Sequence, residues 1–129
     1  MRIVGVNHIT INCTDKNAAF KFYEKLLGLK KIEDVDLGDH ILHYFGLPNG
    51  VRLELIEYKE KQKKWETGNT DTGIYRHVAF EVDDLNELYK NCKDAGVKIN
   101  LEPKYIPEIK KTVMLIVDPN GVEIETIQA

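Results

Sequence analysis

Two histidines and two glutamates sit at matching places in a pattern that the chain carries twice. VNHITINCTD at 6–15 returns as YRHVAFEVDD at 75–84, which sets His8 on His77. PNGVRLELIE at 48–57 returns as PNGVEIETIQ at 119–128, which sets Glu54 on Glu125. A single histidine or glutamate on a strand is ordinarily a satisfied core or solvated side chain, but the same pair in register in both halves points to a shared task. Two carboxylates buried near one another without a cation are costly or force one to keep its proton. A divalent metal removes that cost. Two imidazoles and two carboxylates suit Zn, Ni or Co, with Mn or Fe also accommodated, and the nitrogen donors argue against Ca or Mg.

The flanking sequence must place those four groups. Along the first strand Ile9, Ile11 and Cys13 alternate with His8, Thr10 and Asn12, and along the fifth Val78, Phe80 and Val82 alternate with His77, Ala79 and Glu81. Leu53 and Leu55 oppose Arg52 and Glu54, while Val122 and Ile124 oppose Glu123 and Glu125. Each half therefore presents one His and one Glu on the face turned away from its helix. The pair Arg52 and Glu123 either borders the cavity, where Arg52 would meet an anionic substrate group, or forms a surface ion pair. Thr10 and Asn12 share the His8 face and join them as substrate-binding candidates.

Between the repeated phrases each half carries a helical period: Ala19, Phe22, Tyr23, Leu26, then Leu85, Leu88, Tyr89, Cys92. Thr14 or Asp15 and Asp83 or Asp84 can cap the starts, and Gly28 and Gly96 the ends. KKIEDVDL, HILHYFGL and VRLELIEY follow the first helix as strands, and GVKINL, KTVMLIVD and GVEIETIQ the second. The expected fold is α+β, one domain over 1–129 built from two tandem βαβββ modules, about 1–58 and about 73–129. The polar segment 59–72 joins them, with Trp65 expected to pin it to the body. The two sheets would form a curved eight-stranded pseudo-barrel around a central metal cavity.

Composition narrows the alternatives. The 129 residues, 43% hydrophobic and 30% charged, suffice for one core, and a net charge of -3 offers no footprint for nucleic acid. No apolar run approaches spanning length and no secretory leader is legible, which predicts a cytoplasmic protein without membrane contact. Cys13 and Cys92 fall in apolar-periodic segments and read as buried free thiols. The chain contains no serine, which excludes a Ser-His-Asp triad, and it lacks Walker and GxGxxG loops. DVDLGD at 34–39 would need a glutamate twelve positions from Asp34 to bind calcium; Phe45 stands there, so it reads as a hairpin turn. His40 and His43, which align with Lys111 and Met114, read as ordinary strand histidines.

NHITINCTD, LPNGVRLELIEY, YRHVAFEVDDL and DPNGVEIETIQ together resemble the vicinal oxygen chelate superfamily, which includes glyoxalase I, methylmalonyl-CoA epimerase, extradiol dioxygenases, and fosfomycin and bleomycin resistance proteins. The resemblance covers about Gly5 to Gln128. It implies metal ligands at His8, Glu54, His77 and Glu125, with Glu125 and Glu54 as the candidate catalytic carboxylates. It also implies a metal-dependent, glyoxalase-like lyase or isomerase that moves a proton beside a carbonyl through an enediolate. A small-molecule substrate and a homodimer belong to that expectation. Glutathione-using bacterial glyoxalases carry Arg and Asn where this chain has Asn12 and Tyr58, which leaves the thiol open. Methylmalonyl-CoA epimerases commonly have Gln at the Glu54 position, and extradiol dioxygenases need an open position where a fourth ligand stands here. An epimerase, a dioxygenase and a non-catalytic binding or resistance protein are the alternative readings.

Overall fold

The computed structural model describes residues 1–129 and divides them into two units, Met1–Lys63 and Lys64–Ala129. In the first, β1 (His8–Cys13) leads into α1 (Lys16–Phe20), which continues as a π-helical turn over Lys21–Leu26. The strands β2 (Lys30–Asp36), β3 (His40–Gly46) and β4 (Arg52–Tyr58) follow. These three pair as antiparallel neighbours, and β4 returns to lie parallel to β1, giving the order β1-β4-β3-β2. A parallel pair needs a long crossover, and the helix with its two hairpins supplies it.

The second unit repeats the plan with β5 (Val78–Val82), α2 (Leu85–Asp94), β6 (Ile99–Ile106), β7 (Lys111–Val117) and β8 (Glu123–Gln128), in the order β5-β8-β7-β6. The chain is thus α+β, two βαβββ modules in tandem. Asp15 accepts from the Ala18 amide at 3.1 Å and Asp84 from the Glu87 amide at 2.9 Å, so each helix starts on its aspartate cap. Gly28 and Gly96, with φ of 72° and 69°, take the left-handed conformation that ends each one.

Each core lies on the helix side of its sheet. Tyr23, Phe45, Leu53 and Leu55 are fully buried in the first unit, where the Phe20 ring meets Phe45 edge-on at 5.3 Å. Met114, Ile116 and Ile124 are buried in the second, and α2 contributes Leu85, Leu88 and Cys92. Side chains of this size stabilise a fold by about 1.5–3 kcal/mol each when withdrawn from water. Burial of these rows commits the alternate residues of the same strands to the opposite face.

Three expectations change. The first helix is α for little more than a turn and then widens: the Leu27 amide reaches back to the Phe22 carbonyl, five residues away, at 3.0 Å. The strand expected as GVKINL extends to Ile106, past Pro103, with its register shifting between Ile99 and Leu101 and again between Leu101 and Lys104. As an edge strand paired only with β7, it tolerates the missing proline N–H at a bulge. Trp65 is 83% exposed and pins nothing. Cys13 and Cys92 are buried and unbridged, as expected, and burial pushes the Cys92 thiol up to about 11. No helix is long and apolar enough to cross a membrane.

Candidate active site

In the first unit the register sets Thr10 opposite Glu54 and Glu54 opposite Tyr44, on the face away from the helix. Glu54 is only 6% exposed. Its carboxylate accepts from the Thr10 hydroxyl at 3.2 Å and from the Tyr44 phenol, and this bond, with burial, raises the Tyr44 ionisation above its ordinary range. His8 stands one diagonal step away, its Nε2 3.9 Å from the Glu54 carboxylate and its Nδ1 2.7 Å from the Asn7 amide oxygen. Arg52, opposite His8, is paired with Glu33 at 3.0 Å and lies 5.0 Å over the Tyr44 ring. Asn12 is exposed near the end of β1.

In the second unit His77 immediately precedes β5. Its Nε2 is 2.9 Å from Glu125 and its Nδ1 3.3 Å from Glu123. Glu123 is 7% exposed. It accepts from Asn100 at 3.0 Å and lies 3.4 Å from the Arg76 guanidinium. Burial opposes its charge, but Asn100, His77 and Arg76 outweigh that cost and hold its carboxyl below the usual range. Ala79 and Leu115 occupy the register positions that Thr10 and Tyr44 hold in the first unit, so no hydroxyl flanks Glu125 there.

Each unit therefore brings one imidazole Nε2 beside one carboxylate, with Nδ1 already engaged by an oxygen. Metal–donor bonds of about 2.0–2.2 Å set neighbouring donors roughly 3 Å apart, so the His77–Glu125 pair at 2.9 Å has the spacing of two adjacent ligands, whereas the His8–Glu54 pair at 3.9 Å is wider and would have to draw in to act so. Neither unit assembles three or more such ligands by itself. The predicted residues thus fall into two sets, His8, Thr10, Asn12, Arg52 and Glu54 in the first unit and His77, Glu123 and Glu125 in the second. Arg52 and Glu123 each take their ion-pair partner from within their own unit.

The sequence reading missed Tyr44, Asn7 and Asn100. Tyr44 has its signal in the alternation of β3, but only the hairpin register shows that it reaches Glu54. His43, read as an ordinary strand histidine and not a ligand, lies within β3. It is 2% exposed on the helix side, with Nδ1 2.7 Å from Asp34, Nε2 3.1 Å from Glu57, and the Phe20 ring edge-on at 5.0 Å. That face keeps it away from the His8 and Glu54 pair. The turn before β8 is fixed by Asp118, whose carboxylate accepts from the Asn120 and Val122 amides at 2.8 Å; Leu47 stands at that position in the first repeat.

Residues 5–126 match the family model described as the Glyoxalase/Bleomycin resistance protein/Dioxygenase superfamily. The chain is 27% identical to a lactoylglutathione lyase of Neisseria meningitidis, over 94% of this chain and 88% of that one. It is 29% identical to the metallothiol transferase FosB of Bacillus licheniformis, over 96% and 75%. Among solved structures, the trypanothione-dependent glyoxalase I of Leishmania major superposes with a TM-score of 0.75 at 27% identity, covering 96% of this chain and 86% of that one.

Proposed function

The chain belongs to the Glyoxalase/Bleomycin resistance protein/Dioxygenase superfamily, and from that membership we propose that it is a metal-dependent lyase or isomerase of the glyoxalase I kind, acting on a small cytoplasmic molecule. The observation that carries this reading is the twofold occurrence of one arrangement: imidazole Nε2 beside glutamate, 3.9 Å apart in one unit and 2.9 Å in the other. His8, Glu54, His77 and Glu125 would together hold one divalent ion, with Ni, Zn or Co favoured by the nitrogen donors and Mn or Fe also possible occupants. Such an ion, when bound, supplies Lewis-acid stabilisation of negative charge developing on substrate oxygens.

The residues divide the remaining work. Glu54, held by two hydroxyl donors, is fixed in place and its lone pairs are partly committed. Glu125 lacks those hydroxyls, its partner being the His77 ring at 2.9 Å, and is the carboxylate that would take the proton from the carbon beside a carbonyl and return it to the neighbouring carbon. Thr10, Asn12, Arg52 and Glu123 are the polar groups on the same faces and the candidates to orient the substrate. Named relatives include a lactoylglutathione lyase and a trypanothione-dependent glyoxalase I, while Asn12 and Tyr58 depart from the bacterial glutathione pattern, so the adduct is proposed only as a 2-oxoaldehyde joined to a thiol. The likeness to a metallothiol transferase favours, as the second reading, transfer of a thiol by the same ligand set.

The test begins with elemental analysis of the purified protein and titration of the metal-free form with Ni, Co and Zn. Solvent deuterium incorporation into hemithioacetals of several thiols then follows. His8→Ala and His77→Ala are expected to lower metal affinity and melting temperature together, with His40→Ala as the unaffected control. A protein that carries no divalent metal and gains no melting temperature from any of the three ions would be a binding protein instead.

A further inference from the structure

We propose that Glu123 is a positioning residue for His77, gripping the ring at Nδ1 so that Nε2 is the nitrogen offered to a cation beside Glu125. This rests on the metal-dependent reading of His77 and adds to it a residue that acts on the ligand rather than on the ion.

The imidazole of His77 lies between two carboxylates, with Glu125 at 2.9 Å from Nε2 and Glu123 at 3.3 Å from Nδ1. The two carboxylates approach opposite nitrogens of one ring, so they cannot serve one ion in the same way. Only Glu125 is on the Nε2 side. Glu123 is withdrawn from solvent; Asn100 donates to its Oε2 at 3.0 Å, and the Arg76 guanidinium lies 3.4 Å from the Oε1 that faces His77. A buried carboxylate is retained at such cost only where donors satisfy it, and here one of the three donors is the ring itself.

The repeat shows that the fold does not demand this carboxylate. Arg52 occupies the matching position in the first unit and turns to Glu33. His8 nevertheless has its Nδ1 engaged as well, by the neighbouring Asn7 amide oxygen at 2.7 Å. Both units hold the ring by the same nitrogen and use different means to do so. A ring N–H given to a carboxylate fixes tautomer and orientation and makes the opposite nitrogen the better donor. The amide of Asn7 fixes orientation in the same way but places no charge behind the ring.

The experiment compares the wild type, Glu123→Gln, Asn100→Ala and His77→Ala. Two quantities are read: the Zn dissociation constant of the metal-free protein, and solvent exchange of the His77 Nδ1 proton by nitrogen-15 NMR. Glu123→Gln keeps the size but must turn its NH2 group toward either the ring or the Asn100 amide. It is expected to weaken Zn binding about tenfold or more and to speed Nδ1 proton exchange. Asn100→Ala should shift both quantities the same way by less, and it makes the same test should the glutamine variant fail to fold. Unchanged affinity and unchanged exchange in both variants, against a wild type whose Zn binding depends on His77, overturn the positioning role alone. Zn affinity that ignores His77→Ala overturns the ligand reading, and with it the proposal.

Discussion

Glu54 and Glu125 occupy one position of a repeated motif, yet their surroundings make them different groups. Two hydroxyls donate to the first, and the positions of those hydroxyls are taken by Ala79 and Leu115 beside the second. Donors to a carboxylate occupy its lone pairs and fix its orientation. Arg52, two residues from Glu54, is engaged by Glu33, so Thr10 and Tyr44 supply the asymmetry. Glu125→Gln is therefore expected to retain metal while losing roughly 10²–10⁴-fold in exchange of the substrate proton with solvent deuterium. Glu54→Gln should mainly weaken metal binding, with activity partly recovered at saturating metal. Equal loss of exchange in both metal-saturated variants would point to a symmetric pair of bases. The paired His and Glu were legible because the repeat labels them in one dimension. Tyr44 and Asn100 were not, because their reach depends on hairpin register, and a one-residue slip would send them to the other face.

At the level of elements, the helices, their aspartate caps and the inward rows of the strands follow from periodicity, and the departures have local causes. The second register shift of β6, between Leu101 and Lys104, falls where Pro103 cannot donate to the ladder. The polar cluster under the first helix is the other departure, because alternation places His43 inside without saying what will meet its two nitrogens. Asp34 and Glu57 meet them, and Met114 fills the corresponding position in the second unit with an apolar chain. His43→Ala should cost about 2–4 kcal/mol in denaturant unfolding, from the vacated volume and the lost hydrogen bonds. His43→Met should cost roughly half of that, since it restores most of the volume. The same cluster gives a pH dependence. Burial opposes ionisation of Asp34, but hydrogen bonds from Lys31 and His43 prevail and hold its carboxyl below the ordinary value. A folded-state value lowered in this way contributes stability that is fully present above the unfolded carboxyl range, near pH 4, and is lost as pH falls below it. Wild-type stability should accordingly drop below about pH 4, and His43→Ala should flatten that drop. A His43→Ala variant as stable as the wild type at pH 7 would show that the cluster is solvated rather than structural.

For the whole molecule the question is how much apolar surface one chain leaves uncovered. Met1, Ile3, Val4 and Val6 are exposed ahead of β1, and Trp65 and Tyr75 are exposed between β4 and β5. The sheets end in the edge strands β1 and β2 in one unit and β5 and β6 in the other. Unpaired strand edges and clustered apolar side chains are surfaces that a soluble chain ordinarily covers. A net charge of -3 spread over 129 residues gives little repulsion to oppose self-association. The homodimer predicted for this chain would use a closed two-fold arrangement, in which each exposed segment meets its counterpart or a matching edge once and leaves nothing free to propagate. Light scattering at micromolar concentration should report twice the 14.8 kDa chain mass. Replacing Val4 and Val6 with lysine places like charges across the contact, and it should shift the species toward the single-chain mass without lowering the melting temperature measured at high dilution. A wild-type mass equal to one chain across that concentration range would rule the dimer out, and a double variant that remains dimeric would move the contact to the strand edges or to the Trp65 segment.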